Sequence, residues 1–161
     1  MFDLKKESYL KFILIFSFIA LISAYFIEYI LGHQPCNLCL IERIPYGLSI
    51  ILIISIFILK KYERFFILLL ILTFIFSFLI SFYHYGIEQG FFEESAICGL
   101  KDISENITKE DLLKQLNKKI VSCKDVTFRF FGLSLTSINI VISLFFIITL
   151  VKINTKYEKN K

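Results

Sequence analysis

Charge is scarce in this chain: only 20% of its 161 residues are Asp, Glu, Lys or Arg. Apolar residues make up 57%, and the mean hydropathy is +0.72. That balance excludes an ordinary soluble domain, which could not bury so much apolar surface at this size. Trp is absent. The richness in Ile, Phe and Lys fits an AT-rich genome and carries no mechanism. No stretch repeats, and none is of low complexity. Cysteines number four, and no His follows the second cysteine of the Cys36–Cys39 pair, where Leu40 stands, so a haem-attachment motif is excluded. No second CxxC is present either, which leaves a structural zinc site short of ligands, and no metal is expected.

What is present is four apolar runs. They extend from about Tyr9 to Leu31, from about Leu38 or Ile44 to Leu59, from about Phe65 to Tyr85, and from about Phe131 to Val151. Each approaches the roughly 20 residues that a bilayer crossing needs. The expectation is an all-α membrane protein: one domain over residues 1–161, built as a four-helix transmembrane bundle. The first run follows a basic start of Lys5, Lys6 and Lys11. It exceeds the core of about 7–15 residues in a cleaved signal peptide, and reads as a retained helix.

Charge asymmetry sets the orientation. The N-terminal segment, the Lys60–Arg64 link and the C-terminal tail hold ten positive and four negative charges, and the rest holds eight and ten. The positive-inside rule therefore places both termini and the link in the cytoplasm. Two segments, about 32–43 and 86–130, become outer loops. All four cysteines fall in these loops and none falls in the membrane runs, an arrangement suited to an oxidising compartment.

The first loop reads PCNLCLIER from Pro35 to Arg43. A disulfide across two intervening residues closes too small a loop to stabilise much, so Cys36 and Cys39 read as a redox pair. A cysteine near a helix start has its thiolate favoured by the helix dipole. With a helix from Leu38, Arg43 lies one turn from Cys39 on the same face, where a guanidinium can lower a thiol pKa or hydrogen-bond a carbonyl that accepts electrons. It equally fits an interfacial arginine reaching phosphates.

Cys98 and Cys123 lie 25 residues apart in the second loop. They read either as a structural staple or as a second redox pair, able to exchange with a soluble partner and pass two electrons to the pair at the membrane. Between them, Thr108 to Val121 has an apolar face of Leu112, Leu113, Leu116, Ile120 and Val121 opposite several lysines, and is read as a short amphipathic helix in the membrane interface. His84, between Tyr83 and Tyr85, reads as an interfacial histidine or as a hydrogen-bond donor to a quinone carbonyl. Glu28 is expected to reach the interface and is given no catalytic role. The Asn106-Ile107-Thr108 glycosylation pattern is treated as chance.

At these residues the chain resembles the DsbB family of bacterial inner-membrane thiol:quinone oxidoreductases. The matching stretches are PCNLCLIER, YHYGIEQG from Tyr83 to Gly90, the two loop cysteines, and FFGLSL from Phe130 to Leu135. The resemblance implies a multi-pass protein of the inner membrane whose catalytic residues are Cys36, Cys39, Cys98 and Cys123. It implies a quinone, ubiquinone or menaquinone, held by Arg43 with His84 as a further contact. Cys39 would be the thiolate nearest the ring. Cys98 would form the mixed disulfide with a periplasmic thioredoxin-like DsbA-type protein, and Cys123 would pass electrons to Cys36. The expected oxidised pairing is Cys36–Cys39 and Cys98–Cys123. Partners are that protein, the quinone and the bilayer, and no nucleic acid. Two rivals differ in sequence terms. A vitamin K epoxide reductase-like enzyme places its loop pair before the CxxC, the reverse of the order here. A membrane scaffold with structural disulfides needs neither Arg43 near Cys39 nor exchangeable thiols.

Overall fold

The computed structural model describes residues 2–93, 98, 122–124, 129–130 and 132–159. Four helices dominate: α1 (Phe2–Tyr29), α2 (Asn37–Ile58), α3 (Glu63–Glu88) and α4 (Leu135–Lys159). All four are long and apolar enough to cross a bilayer, so the protein is a multi-pass membrane protein. The 22 residues of α2 correspond to about 33 Å of helix, close to the thickness of a hydrocarbon core. α3 packs against α2 and α4, and α1 packs mainly against α2.

The bundle is apolar both inside and out, as a lipid solvent requires. Phe74 and Phe146 meet edge to face at 5.0 Å in the centre, and Phe16 joins Phe146 at 5.3 Å. Leu10, Ile13, Ile53, Ile67, Leu70 and Leu150 complete this core. Phe12, Ile15, Phe18, Ile19 and Ile22 of α1 stay exposed, facing outward where lipid would cover them.

Because lipid tails are as apolar as Leu, burial alone gives helices little reason to pair. Buried hydrogen bonds supply the register instead. Ser49 of α2 donates to Ser17 of α1 at 2.9 Å. Tyr46 of α2 donates to Asn139 of α4, and Asn139 donates in turn to Ser81 of α3 at 2.7 Å. Ser143 bonds Ser77 at 3.1 Å one turn further along. At the other end, Lys6 pairs with Glu63 at 2.6 Å and ties α1 to the start of α3.

Local chemistry sets the ends of the helices near the cysteines. α1 stops before Gly32, whose φ of +73° reverses the chain at no Cβ cost. α2 begins at Asn37, with Cys36 in extended conformation as its N-cap. Only the first part of the expected 32–43 loop is therefore irregular, and Cys39, Glu42 and Arg43 ride on the opening turns of a helix. α3 runs through Glu88, past the expected end at Tyr85. Phe92 then folds back over Gly86, where a Cβ would come within 2.1 Å of its ring. The fourth helix starts at Leu135 rather than Phe131: Arg129–Phe130 pairs antiparallel with Leu133–Ser134, and Gly132 at φ +82° serves the turn. The amphipathic helix expected over 108–121 lies outside the described residues.

Candidate active site

Cys36 carries an unusual assignment, because the N-cap is normally filled by Ser, Thr, Asp or Asn. Here a sulfur does that work: the backbone N–H of Cys39 donates to Cys36 Sγ at 3.3 Å. The sulfur thus sits at the positive end of the α2 dipole. Cys39 Sγ lies 2.8 Å away as a free thiol. The Cys39 thiol, as the chief influence, pulls the Cys36 pKa well below that of an ordinary cysteine; burial opposes this, and contact with His84 adds to it.

His84 comes from α3, 45 residues beyond Cys39, and is only 2% exposed. Its Nε2 faces Cys36 Sγ at 3.5 Å, and its Nδ1 lies 2.8 Å from Oε1 of Glu42. With Nδ1–H donating to that carboxylate, the ring is held with Nε2 toward the sulfur. The second Glu42 oxygen accepts from Asn139 at 3.2 Å, so the polar ladder inside the bundle ends on this carboxylate. Glu88, one turn beyond His84, adds a second acid. Its Oε1 accepts from Thr136 at 2.7 Å and lies 3.9 Å from His84 Nε2. His84 is therefore not an interfacial side chain but the centre of a buried network, since Glu42, Glu88, Thr136 and Cys36 converge on it from three helices and the α2 cap.

Arg43 also departs from expectation. Its guanidinium turns to α1, where it meets Glu28 at 2.5 Å and lies 5.1 Å over the Tyr25 ring. An unpaired Arg and an unpaired Glu at this depth would each carry a desolvation cost, and pairing removes both. Glu28 thus has a partner within the protein instead of reaching the interface. The groups that favour a thiolate face Cys36, not Cys39.

These residues share one cavity of about 300 Å³. Cys36, Cys39, Glu42, Arg43, His84 and Glu88 line one end, with Cys123 beside them. Apolar side chains of α1 and α4, among them Ala20, Leu21, Ile27 and Ile142, line the rest. Cys98 and Cys123 form a disulfide with a Cα–Cα distance of 5.8 Å. Both are almost fully buried, and they pack in one cluster with Cys36, Leu38 and Ile87. The loop disulfide rests against the CxxC in this conformation.

The sequence reading assigned no role to Glu42, Glu88, Thr136 or Asn139. Two of them left a signal. Glu42 lies three residues after Cys39, and Glu88 lies four after His84, spacings that share a helix face. Thr136 and Asn139 sit in an apolar run with nothing nearby to mark them.

Comparison with known proteins agrees with this geometry. The family model described as "Disulfide bond formation protein DsbB" matches residues 6–153. A relative from Rickettsia prowazekii (strain Madrid E), named "Uncharacterized protein RP370", is 31% identical over 152 residues, covering 91% of this chain and 88% of the relative. With CxxC, buried histidine and loop disulfide gathered at one end of four membrane helices, and the family model covering nearly the whole chain, the protein belongs to the DsbB family of disulfide bond formation proteins.

Proposed function

We propose that this protein is a thiol:quinone oxidoreductase of the bacterial inner membrane, one domain with both termini in the cytoplasm. In this reading it reoxidises a periplasmic thioredoxin-fold protein of the DsbA type and delivers the electrons to ubiquinone or menaquinone. The observation that carries the reading is the cavity: an apolar chamber between α1 and α4 that ends on two cysteines, an arginine and a histidine. A quinone has matching parts, an apolar ring and tail with two carbonyl acceptors, and when bound it supplies an acceptor for two electrons and two protons.

The protein's own residues do the rest. A partner thiolate attacks Cys98 Sγ and breaks the Cys98–Cys123 bond, which frees Cys123. The partner's second thiol then closes the partner disulfide and releases Cys98, so the loop pair is reduced by two electrons. With the membrane pair oxidised, Cys123 attacks Cys36 and frees Cys39, and Cys98 then closes on Cys123 and frees Cys36, so the two electrons reach the membrane pair; packing of Cys123 beside Cys36 favours this step. Cys36 and Cys39 close again to a disulfide as they give up two electrons and two protons, for which a quinone held beside them would be the acceptor. His84, oriented by Glu42, exchanges a proton at Cys36. Arg43, held by Glu28, would hydrogen-bond the acceptor carbonyl. Partner access requires the loop disulfide to leave its packed position, because Cys98 is 1% exposed here.

Quinone reduction by a reduced DsbA-type protein, titrated in quinone with the reconstituted enzyme, tests the reading. Arg43→Ala is expected to raise the apparent KM for quinone about tenfold, the loss of one charge-assisted hydrogen bond. Arg43→Lys should recover part of this, since a point charge lacks the planar fork. An unchanged KM removes Arg43 from the quinone site. A wild-type enzyme that oxidises its partner equally well without quinone overturns the function.

A further inference from the structure

The sequence offered a metal ion only the two CxxC sulfurs. The fold adds what was missing. Cys36 Sγ, Cys39 Sγ and a nitrogen of His84 lie within 4.8 Å of one another. Glu88 stands next to them: its side chain is 5% exposed, its Oε1 is 3.9 Å from His84 Nε2, and its Oε2 is buried with no hydrogen-bond partner. We propose that the reduced Cys36–Cys39 pair, with His84 and Glu88, forms a four-coordinate site for Zn2+, and that metal and disulfide exclude one another there.

Three features support the assignment. The ligand set is two thiolates, an imidazole and a carboxylate, all groups that zinc takes in tetrahedral sites. The spacing of the two sulfurs and His84 is close to what is needed, and Glu88, outside that group, has to turn in from its bond to Thr136. With bonds of about 2.3 Å to sulfur and about 2.0 Å to nitrogen, ligands around a tetrahedral ion stand roughly 3.5–3.8 Å apart. The Cys36–His84 separation is already 3.5 Å, and the two sulfurs, at 2.8 Å, need to part by about 1 Å, a small turn of the Cys39 side chain. The surroundings match as well. A metal-bound histidine commonly gives its other N–H to a carboxylate, and Glu42 takes that position at 2.8 Å from Nδ1.

Electrostatics point the same way. Glu42 and Glu88 stand on the cavity wall, while the charge of Arg43 is already matched by Glu28. Two thiolates added to this wall call for a divalent cation. Binding displaces the remaining thiol protons and oxidises nothing. Once both sulfurs are bonded to zinc, neither can exchange with Cys123 or give up electrons. A CxxC disulfide has no thiolate to offer, so only the reduced pair binds. The site is therefore a reversible block on the reduced enzyme, set by the supply of metal on the side where the cysteines lie.

The test uses Co2+ as a spectroscopic substitute for zinc and requires no quinone, so it is separable from the function proposed above. The full chain carrying Cys98→Ser and Cys123→Ser, to remove the loop thiols, is reduced with a phosphine and titrated with Co2+. One equivalent should produce a thiolate-to-cobalt charge-transfer band and the intense visible bands of four-coordinate cobalt, and Zn2+ should abolish both. The same protein with Cys36–Cys39 oxidised should give neither. His84→Ala and Glu88→Gln should each weaken binding at least about tenfold, and Glu42→Ala about tenfold through the loss of its outer contact. Absence of the charge-transfer band in the reduced protein overturns the site, as does affinity unchanged in both His84→Ala and Glu88→Gln. Should the loop variant lose its helical circular dichroism, fully reduced wild type is compared with Cys36→Ser/Cys39→Ser: a band in the first alone supports the site, and a band that persists in the second overturns it.

Discussion

The two cysteine pairs lie in one cluster yet live in different chemical worlds. Cys98 and Cys123 are bonded to each other and almost fully buried. Cys36 and Cys39 are free, and one of them receives a backbone N–H, a helix dipole and an imidazole. The same residue type is therefore given two tasks by its surroundings. A thiol gains reactivity from groups that hold its negative charge, and a disulfide gains persistence from being shielded. In the proposed reading, their packing against each other would let one pair pass electrons to the other with little motion at the membrane pair.

The sharpest way to break this comparison is to remove one sulfur from each pair. Cys36→Ser and Cys123→Ser should both stop quinone-linked turnover, but they should differ in what they trap. In Cys123→Ser the free Cys98 thiolate attacks the disulfide of the oxidised partner and no second loop thiol competes for the new bond, so a mixed disulfide should build up with oxidised partner and vanish with added reductant on non-reducing electrophoresis. Capture of partner by Cys36→Ser alone would reverse the assignment of the loop pair.

A smaller effect is expected from the groups that distinguish the CxxC pair. His84→Ala should lower turnover about 100-fold, the lower end for loss of an acid–base group, while the loop pair still exchanges with its partner. Glu42→Gln keeps a hydrogen-bond acceptor near Nδ1 and should cost less. Equal loss in stopped-flow turnover for the two variants would mean that Glu42 does more than orient the ring.

The smallest effect belongs to the ladder beneath the site. Asn139→Ala removes bonds to Ser81, Tyr46 and Glu42 at once. Interhelical hydrogen bonds in membranes are individually weak, so a loss of about 1–2 kcal/mol is expected, read as a lower unfolding midpoint in detergent. An unaltered midpoint together with reduced turnover would show that Asn139 serves to aim Glu42 and not to hold the bundle.

Much of this protein is legible in its sequence alone. Four apolar runs determine four membrane helices, because a backbone in lipid has almost no other way to satisfy its hydrogen bonds. The CxxC spacing places two sulfurs together, since two residues between cysteines bring them side by side at a helix start whatever the rest of the chain does. Helix ends were less legible: the Phe131 start gave way to a hairpin, as turn geometry at Gly132 outweighed hydropathy. Only the tertiary structure decided which groups face the sulfurs. His84 and Cys36 are 48 positions apart, and Glu42 and Asn139 are 97 apart. Their meeting depends on the rotation of each helix about its axis, which packing sets and local sequence does not reveal. The same reason explains Arg43. Its position on α2 is evident from the sequence, but its direction was settled by Glu28, a carboxylate on another helix that at this depth needs a cation as much as Arg43 needs an anion.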